Sequence, residues 1–196
     1  MKKPFLLILI TAVLIAGCNN KKTNNVQSET GKTTIDSASP HSSAAMDELE
    51  KRKDELTDLT PYSPDKLKEM LPVELSGATQ SDIRSADAMG ASTASARYVI
   101  SDSSAIQLSI IDCAGPGGVG IYNMQYLGMY DINEENEDEY TRSVDFNGGK
   151  AFENCRKHRN KCTFTFFSGD RFLVALEGDN IGIDELKGVA KGVKIK

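Results

Sequence analysis

Hydrophobic positions follow four regimes along the chain. Phe5 to Ala16 is an almost unbroken apolar run. Residues 19–45 contain only Val26 and Ile35 as large apolar side chains, among Asn, Ser, Thr and Lys. In residues 46–60, Met46, Leu49, Leu56 and Leu59 form a thin stripe at helical spacing, interrupted by Lys53. From residue 77 onward the period falls to two. Ala96, Tyr98 and Ile100 alternate with polar neighbours, as do Ile106, Leu108 and Ile110. The same holds for Tyr140, Val144 and Phe146, for Phe164 and Phe166, and for Phe172, Val174 and Leu176.

Turn chemistry divides these runs. Asn147-Gly148 favours a type I′ hairpin, whose two central residues both need positive φ. Lys150–Cys155 is then the return strand. Ser101–Ser104 and Ser168-Gly169-Asp170 read as further turns. Ser63-Pro64 reads as an N-cap followed by proline at the first helical position, opening a short helix that Pro72 ends. Residues 184–193 place Leu186, Val189 and Ala190 on one helical face. Hairpins dominate and no βαβ repeat is present, so the pattern predicts an α+β domain over residues 61–196, with about seven antiparallel strands. Residues 46–60 precede it as a helix, with Asp47–Lys51 and Glu48–Arg52 as its expected i,i+4 pairs.

The N-terminus carries an address. Lys2 and Lys3 precede the apolar run, which is too short to cross a ~30 Å hydrocarbon core but suits a secretory signal. The run ends in Leu14-Ile15-Ala16-Gly17-Cys18, which resembles the bacterial lipobox. That resemblance implies a lipoprotein precursor: diacylglycerol on the Cys18 thiol, removal of residues 1–17 and a membrane anchor. Losing those 17 of 196 residues, Lys2 and Lys3 among them, takes the net charge from −5 to −7. Asn19 rather than Asp after Cys18 leans, in enterobacterial terms, toward the outer membrane and its periplasmic face. Residues 18–45 cannot bury enough surface to offset their ordering entropy and read as a disordered tether, roughly 30 Å across as a flexible coil.

Composition narrows the chemistry. The chain has 39% hydrophobic and 26% charged residues and an acidic balance, which argues against a generic nucleic-acid binder. Gly115-Pro116-Gly117-Gly118-Val119-Gly120 fits G-x-G-x-x-G, but an acidic run rather than a parallel strand follows it. It reads as a turn whose glycines allow close packing. Asp131–Glu137 lacks the glycine and the terminal glutamate of a calcium loop and reads as solvated. No cofactor is implied.

Cys155, His158 and Cys162 lie within eight residues of one another. In an oxidising envelope, Cys155 and Cys162 are expected to form a disulfide across a hairpin, leaving Cys113 as a buried thiol. The other reading is a Cys₃His metal set of Cys113, Cys155, His158 and Cys162. Between the two cysteines, Arg156, Lys157, Arg159 and Lys161 make a local reversal of charge, a candidate contact for anionic lipid or an acidic protein partner. Catalytic motifs are lacking, and His41 falls in the tether, so a nucleophilic site would have to use His158. The sequence thus favours a lipid-anchored, non-enzymatic binding or scaffold module. An envelope hydrolase or redox protein using His158 or the cysteines stands as the alternative, and a metal-binding lipoprotein as the weaker one.

Overall fold

The computed structural model describes residues 43–195, which belong to one compact unit. The signal segment, the Cys18 motif and the tether up to residue 42 lie outside the described residues. The fold is α+β: an open antiparallel sheet of nine strands with helices on both faces. Four helices are described, α1 (Ser43–Asp58), α2 (Pro64–Glu69), α3 (Gly115–Ile121) and α4 (Ile183–Gly192).

The strands are β1 (Glu74–Leu75), β2 (Ala78–Ala88), β3 (Ala91–Val99), β4 (Ala105–Asp112), β5 (Asn133–Glu135), β6 (Glu139–Phe146), β7 (Gly149–Arg156), β8 (Lys161–Ser168) and β9 (Phe172–Asp179). Their spatial order, β1-β2-β3-β4-β9-β8-β7-β6-β5, is two meanders joined at the centre. Hairpin turns link the neighbours within each meander, whereas β4 and β9 pair without a local turn, through an eight-residue register from Ala105↔Asp179 to Asp112↔Phe172. β1, β2 and β5 exceed the expected strands. β2 reads ATQSDIRSADA and is exposed along most of its length, and β5 is the acidic triplet NEE. Both lie at or near an edge of the sheet, where little apolar surface is buried and the period-two signal fades.

One face of the sheet is the main core. Tyr98, Ile106, Leu108, Phe164 and Leu176 are fully buried there, beneath Leu67 of α2 and Leu186 of α4. The Ser63 side chain accepts from Lys66 N–H and caps α2, with Pro64 at its first turn, as the sequence predicts. The Tyr98 hydroxyl donates to Pro72 O at 2.6 Å, tying the end of this helical segment to the central sheet. Glu153 is fully buried on the same face, between Arg142 Nε at 2.8 Å and the Lys187 ammonium of α4. Burying a carboxylate is costly unless it is paired and hydrogen-bonded in this way.

The opposite face carries α1 and the α3 segment over Leu173, Phe152 and Cys113. The glycines of residues 115–120 lie inside α3 rather than in a turn, and two of them do pack closely. A Cβ on Gly117 would sit 2.2 Å from Gly90 O, and one on Gly118 would sit 2.3 Å from the Cys113 carbonyl carbon. The helix therefore lies directly against the β2–β3 turn and the exit of β4. Helix α1 starts at Ser43, three residues before the expected position, and buries Leu56 completely. Its ion pairs differ from the expected i,i+4 set. Lys51 meets Glu55 at 3.5 Å, Lys53 meets Glu50 at 2.7 Å, and Arg52 reaches across to Asp170 in the β8–β9 turn.

A second polar lock joins the segment between α1 and α2 to the sheet. Asp112, fully buried, accepts from Arg171 Nε and Nη2, both at 2.8 Å, from Tyr62 N–H at 2.7 Å and from Ala114 N–H at 3.1 Å. Arg171 also donates to Thr60 O at 2.7 Å, and its guanidinium lies 3.8 Å from the centroid of the Tyr62 ring.

Candidate functional site

A cleft of about 210 Å³ opens where four separate segments meet on the α1 face. Glu48, Leu49 and Arg52 of α1 form one wall. The opposite wall comes from the segment that follows α3. There Tyr122–Tyr126 forms a π-helical turn, and Leu127–Met129 a 3₁₀ turn, before Tyr130. The tip of the β6–β7 hairpin and the β8–β9 turn close the ends, through Asn147, Lys150 and Asp170. Asn147 and Gly148 have φ of 49° and 83°, the double positive conformation expected of that turn.

Tyrosines give the cleft its character. Tyr122 and Tyr126 stack with centroids 5.4 Å apart, and each packs on Phe167 at 5.2 Å. Tyr130 meets Tyr126 edge-on at 6.3 Å. The spacing of these three, i, i+4 and i+8, would align them on one helical face and was the signal available in the sequence. A π-helical turn widens the backbone locally, and such turns are enriched at functional sites. The Tyr126 hydroxyl is engaged, accepting from Lys150 N–H and donating to Lys150 O, both at 3.3 Å. The Tyr122 hydroxyl is buried and has no hydrogen-bond partner among the described residues. Burial pushes the Tyr122 phenol well above its ordinary pKa, and the neighbouring Tyr126 adds to this, against the opposing influence of Arg52, so it stays protonated.

Most of the charge at the rim is paired, Glu48 being without an ion pair among the described residues. Arg52 is bridged to Asp170, and Lys150 to Asp145 at 2.7 Å while its ammonium lies 6.0 Å from the Tyr130 centroid. The hydrogen bond to Asp145 raises the Lys150 pKa. The cleft thus offers donors, acceptors and aromatic surface with a balanced charge.

The residues singled out from the sequence lie elsewhere. Cys155 and Cys162 stand directly opposite each other in β7 and β8, Cα–Cα 4.1 Å, with their sulfurs at disulfide distance. Cys113 is a buried free thiol, and burial pushes its pKa up to about 12. His158 is exposed beyond β7 and pairs with Asp138 at 3.2 Å. Registers place Arg156, Lys161, Asp179 and Ala105 along one end of the sheet and Ser168, Phe172 and Asp112 along the other. Seven residues of strand, roughly 23 Å at 3.3 Å per residue, therefore separate Cys113 from the His158 end. The fold does not bring together Cys113, Cys155, His158 and Cys162, and no metal-holding cluster occurs among the described residues.

The basic hairpin is compensated from within. Lys157 pairs with Glu135 at 2.7 Å, Arg156 with Glu139 at 3.7 Å and Lys161 with Glu177 at 2.7 Å. The hydrogen bond from Lys157 lowers the Glu135 pKa. Within this hairpin, among the described residues, Arg159 has no ion pair. No described helix is long and apolar enough to cross a membrane. In comparison with known proteins, the chain matches no family model, no curated protein and no solved structure.

Proposed function

We propose that this chain is a bacterial lipoprotein, held at the cell envelope through diacylglycerol on Cys18, whose α+β domain is a non-enzymatic binding module acting through the tyrosine cleft. The lipobox at residues 14–18 supports the anchor, and two or three acyl chains hold a protein stably where one would not. Asn19 favours the periplasmic face of an outer membrane. The observation that carries the binding reading is the cleft itself: aromatic walls, a largely paired rim with Glu48 left over, and one buried hydroxyl without a partner among the described residues. Small-molecule sites combine apolar walls with a few convergent polar groups in this way.

The chemistry-bearing groups support this reading over the hydrolase or redox alternative. His158 and the two bonded cysteines occupy the opposite end of the sheet from Cys113, and the cleft contains none of them. An anionic surface docking on Arg156, Lys157 and Lys161 would have to displace carboxylates already bound to them. The cleft is the stronger binding surface for that reason.

The test has two arms. In the native host, Cys18→Ser should abolish labelling by radioactive palmitate and leave the precursor uncleaved; normal labelling refutes the anchor. In vitro, the chain from residue 19 onward, which lacks the anchor cysteine, should co-sediment with isolated envelopes. Glu48→Trp, which fills the cleft from the exposed face of α1, should reduce that recovery. Equal recovery of wild type and variant removes the cleft from the proposal.

A further inference from the structure

A second hollow, of about 410 Å³, lies at the end of the sheet opposite the tyrosine cleft, against the Cys155–Cys162 bond. We propose that this bond is a site of reversible thiol–disulfide exchange, in which an external dithiol enters the hollow and attacks the sulfur of Cys162.

Access selects the sulfur. Cys155 is only 6% exposed, whereas Cys162 is partly buried at the margin of the main core. Both line the hollow, together with Ile181 and Ile183 at the start of α4. An attacking thiolate must approach one sulfur in line with the bond it breaks, and the rate depends on which sulfur it can reach. Cys113 is fully buried and stays out of reach.

Charge favours the step. Among the described residues, the lining includes Arg156, Lys157 and Lys161 and no carboxylate. Glu139, Glu135 and Glu177, which pair with those cations, lie outside it. Gly182, also in the lining, is the N-cap of α4, and that end has no side-chain cap among the described residues. Cations and helix N-termini stabilise thiolates. Here they would do so first for the incoming nucleophile and then for the departing Cys155 sulfur. Asp184 and Glu185 in the first turn of α4 oppose this in part, but neither lines the hollow.

The exchange balances between the two dithiols. One thiolate of the reagent attacks Cys162 Sγ, a mixed disulfide forms, and Cys155 leaves as a thiolate that takes a proton from water. The second thiol of the reagent, once deprotonated, attacks the reagent's own sulfur in the mixed disulfide and releases Cys162, which is protonated in turn. The chain gains a pair of electrons and a proton on each sulfur; the reagent loses the same and closes its own disulfide. The hairpin outlasts the bond, because β7 and β8 stay paired from Ala151↔Phe166 to Arg156↔Lys161. The two thiols therefore remain opposite each other and can reoxidise.

The experiment takes the chain from residue 19 onward, oxidised and folded, without denaturant. Dithiothreitol, followed by acid quenching, N-ethylmaleimide and peptide mass mapping, should open Cys155 and Cys162 but not Cys113, with the circular dichroism unchanged. Glutathione, a monothiol, should be trapped on Cys162 in about tenfold or greater excess over Cys155. The thiol left in Cys155→Ser should react with dithiobis-nitrobenzoate about tenfold or more faster than the one left in Cys162→Ser. Anionic mercaptoethanesulfonate should outpace cationic cysteamine about threefold or more per thiolate, and the gap should narrow at about 1 M salt.

Reduction only at denaturant concentrations that unfold the chain overturns the proposal. So does glutathione found equally or mainly on Cys155, or a cationic thiol that reacts as fast as the anionic one. Should either serine variant fail to fold, the glutathione mapping on the unaltered chain decides. The tyrosine cleft contains neither cysteine, so these outcomes leave the binding-module reading where it stands.

Discussion

Replacing Asp112 with alanine removes the carboxylate at the centre of the most densely bonded polar site in the domain. Asp112 is fully buried and Arg171 is only 14% exposed. The change leaves the guanidinium without its two charge-assisted hydrogen bonds and leaves the N–H groups of Tyr62 and Ala114 without acceptors. Removing one partner of a buried ion pair typically costs about 3–5 kcal/mol, and an orphaned buried donor about 1–3 kcal/mol. Tyr62 is accessible enough for water to replace its bond, so the sum should fall near 4–5 kcal/mol. Against a total stability of about 5–15 kcal/mol, that is roughly a quarter or more of the fold. Urea unfolding of the mature chain, followed by circular dichroism, reads this as a lower midpoint at unchanged slope. Arg171→Met in the same background should recover part of the loss, since no buried charge then stands alone. A loss in Asp112→Ala below about 1 kcal/mol, the value of an exposed ion pair, would refute the reasoning.

Other consequences follow from packing, the disulfide and proton linkage. Gly117→Ala should cost several kcal/mol, roughly the upper range for overpacking, because its Cβ would enter the Gly90 carbonyl. Gly120→Ala meets open space and should stabilise by up to ~1 kcal/mol through helix propensity; thermal melts of the pair test the close approach of α3. Cys155→Ser with Cys162→Ser should lower stability by about 2.5 kcal/mol in the chain-entropy account, since the bond closes a loop with a sequence separation of only 7. Equal unfolding midpoints with and without the bond would contradict it. Burial raises the pKa of Tyr98 from 10.0 to about 12, and that of Cys113 from 9.0 to about 12. The folded state holds both protons more tightly, so their contribution is complete below about pH 9. It is lost as pH rises toward 12, by an amount on the order of a few kcal/mol. Denaturant midpoints measured from pH 8 to 12 should decline across that window, and a flat profile would show that neither group resists ionisation.

Local patterning determined much of this protein. The alternation in residues 105–112, 139–146 and 161–179 specifies strands because side chains on a strand point to opposite faces, and one face here is a core. Asn147-Gly148 set a hairpin, Ser63-Pro64 set a helix start, and the position of Cys155 and Cys162 across one hairpin set their pairing. Each of these is decided within a few residues, so it can be read without knowing the rest of the chain. The tertiary structure decided what depends on distant partners. The β4–β9 pairing joins segments about sixty residues apart, and no turn encodes it. β2 and β5 are strands through pairing rather than burial, so their polar sequences carry no alternation to read. Arg52 has local carboxylates within reach on its own helix, but folding places Asp170 beside it. The cleft is the same case on a larger scale. The spacing of Tyr122, Tyr126 and Tyr130 was visible, but α1, the β6–β7 tip and the β8–β9 turn become its walls only when α1 and the segment after α3 pack onto the sheet beside those two turns. Secondary structure follows short-range sterics and periodicity, whereas a site made from four separate segments exists only after the long-range contacts have formed.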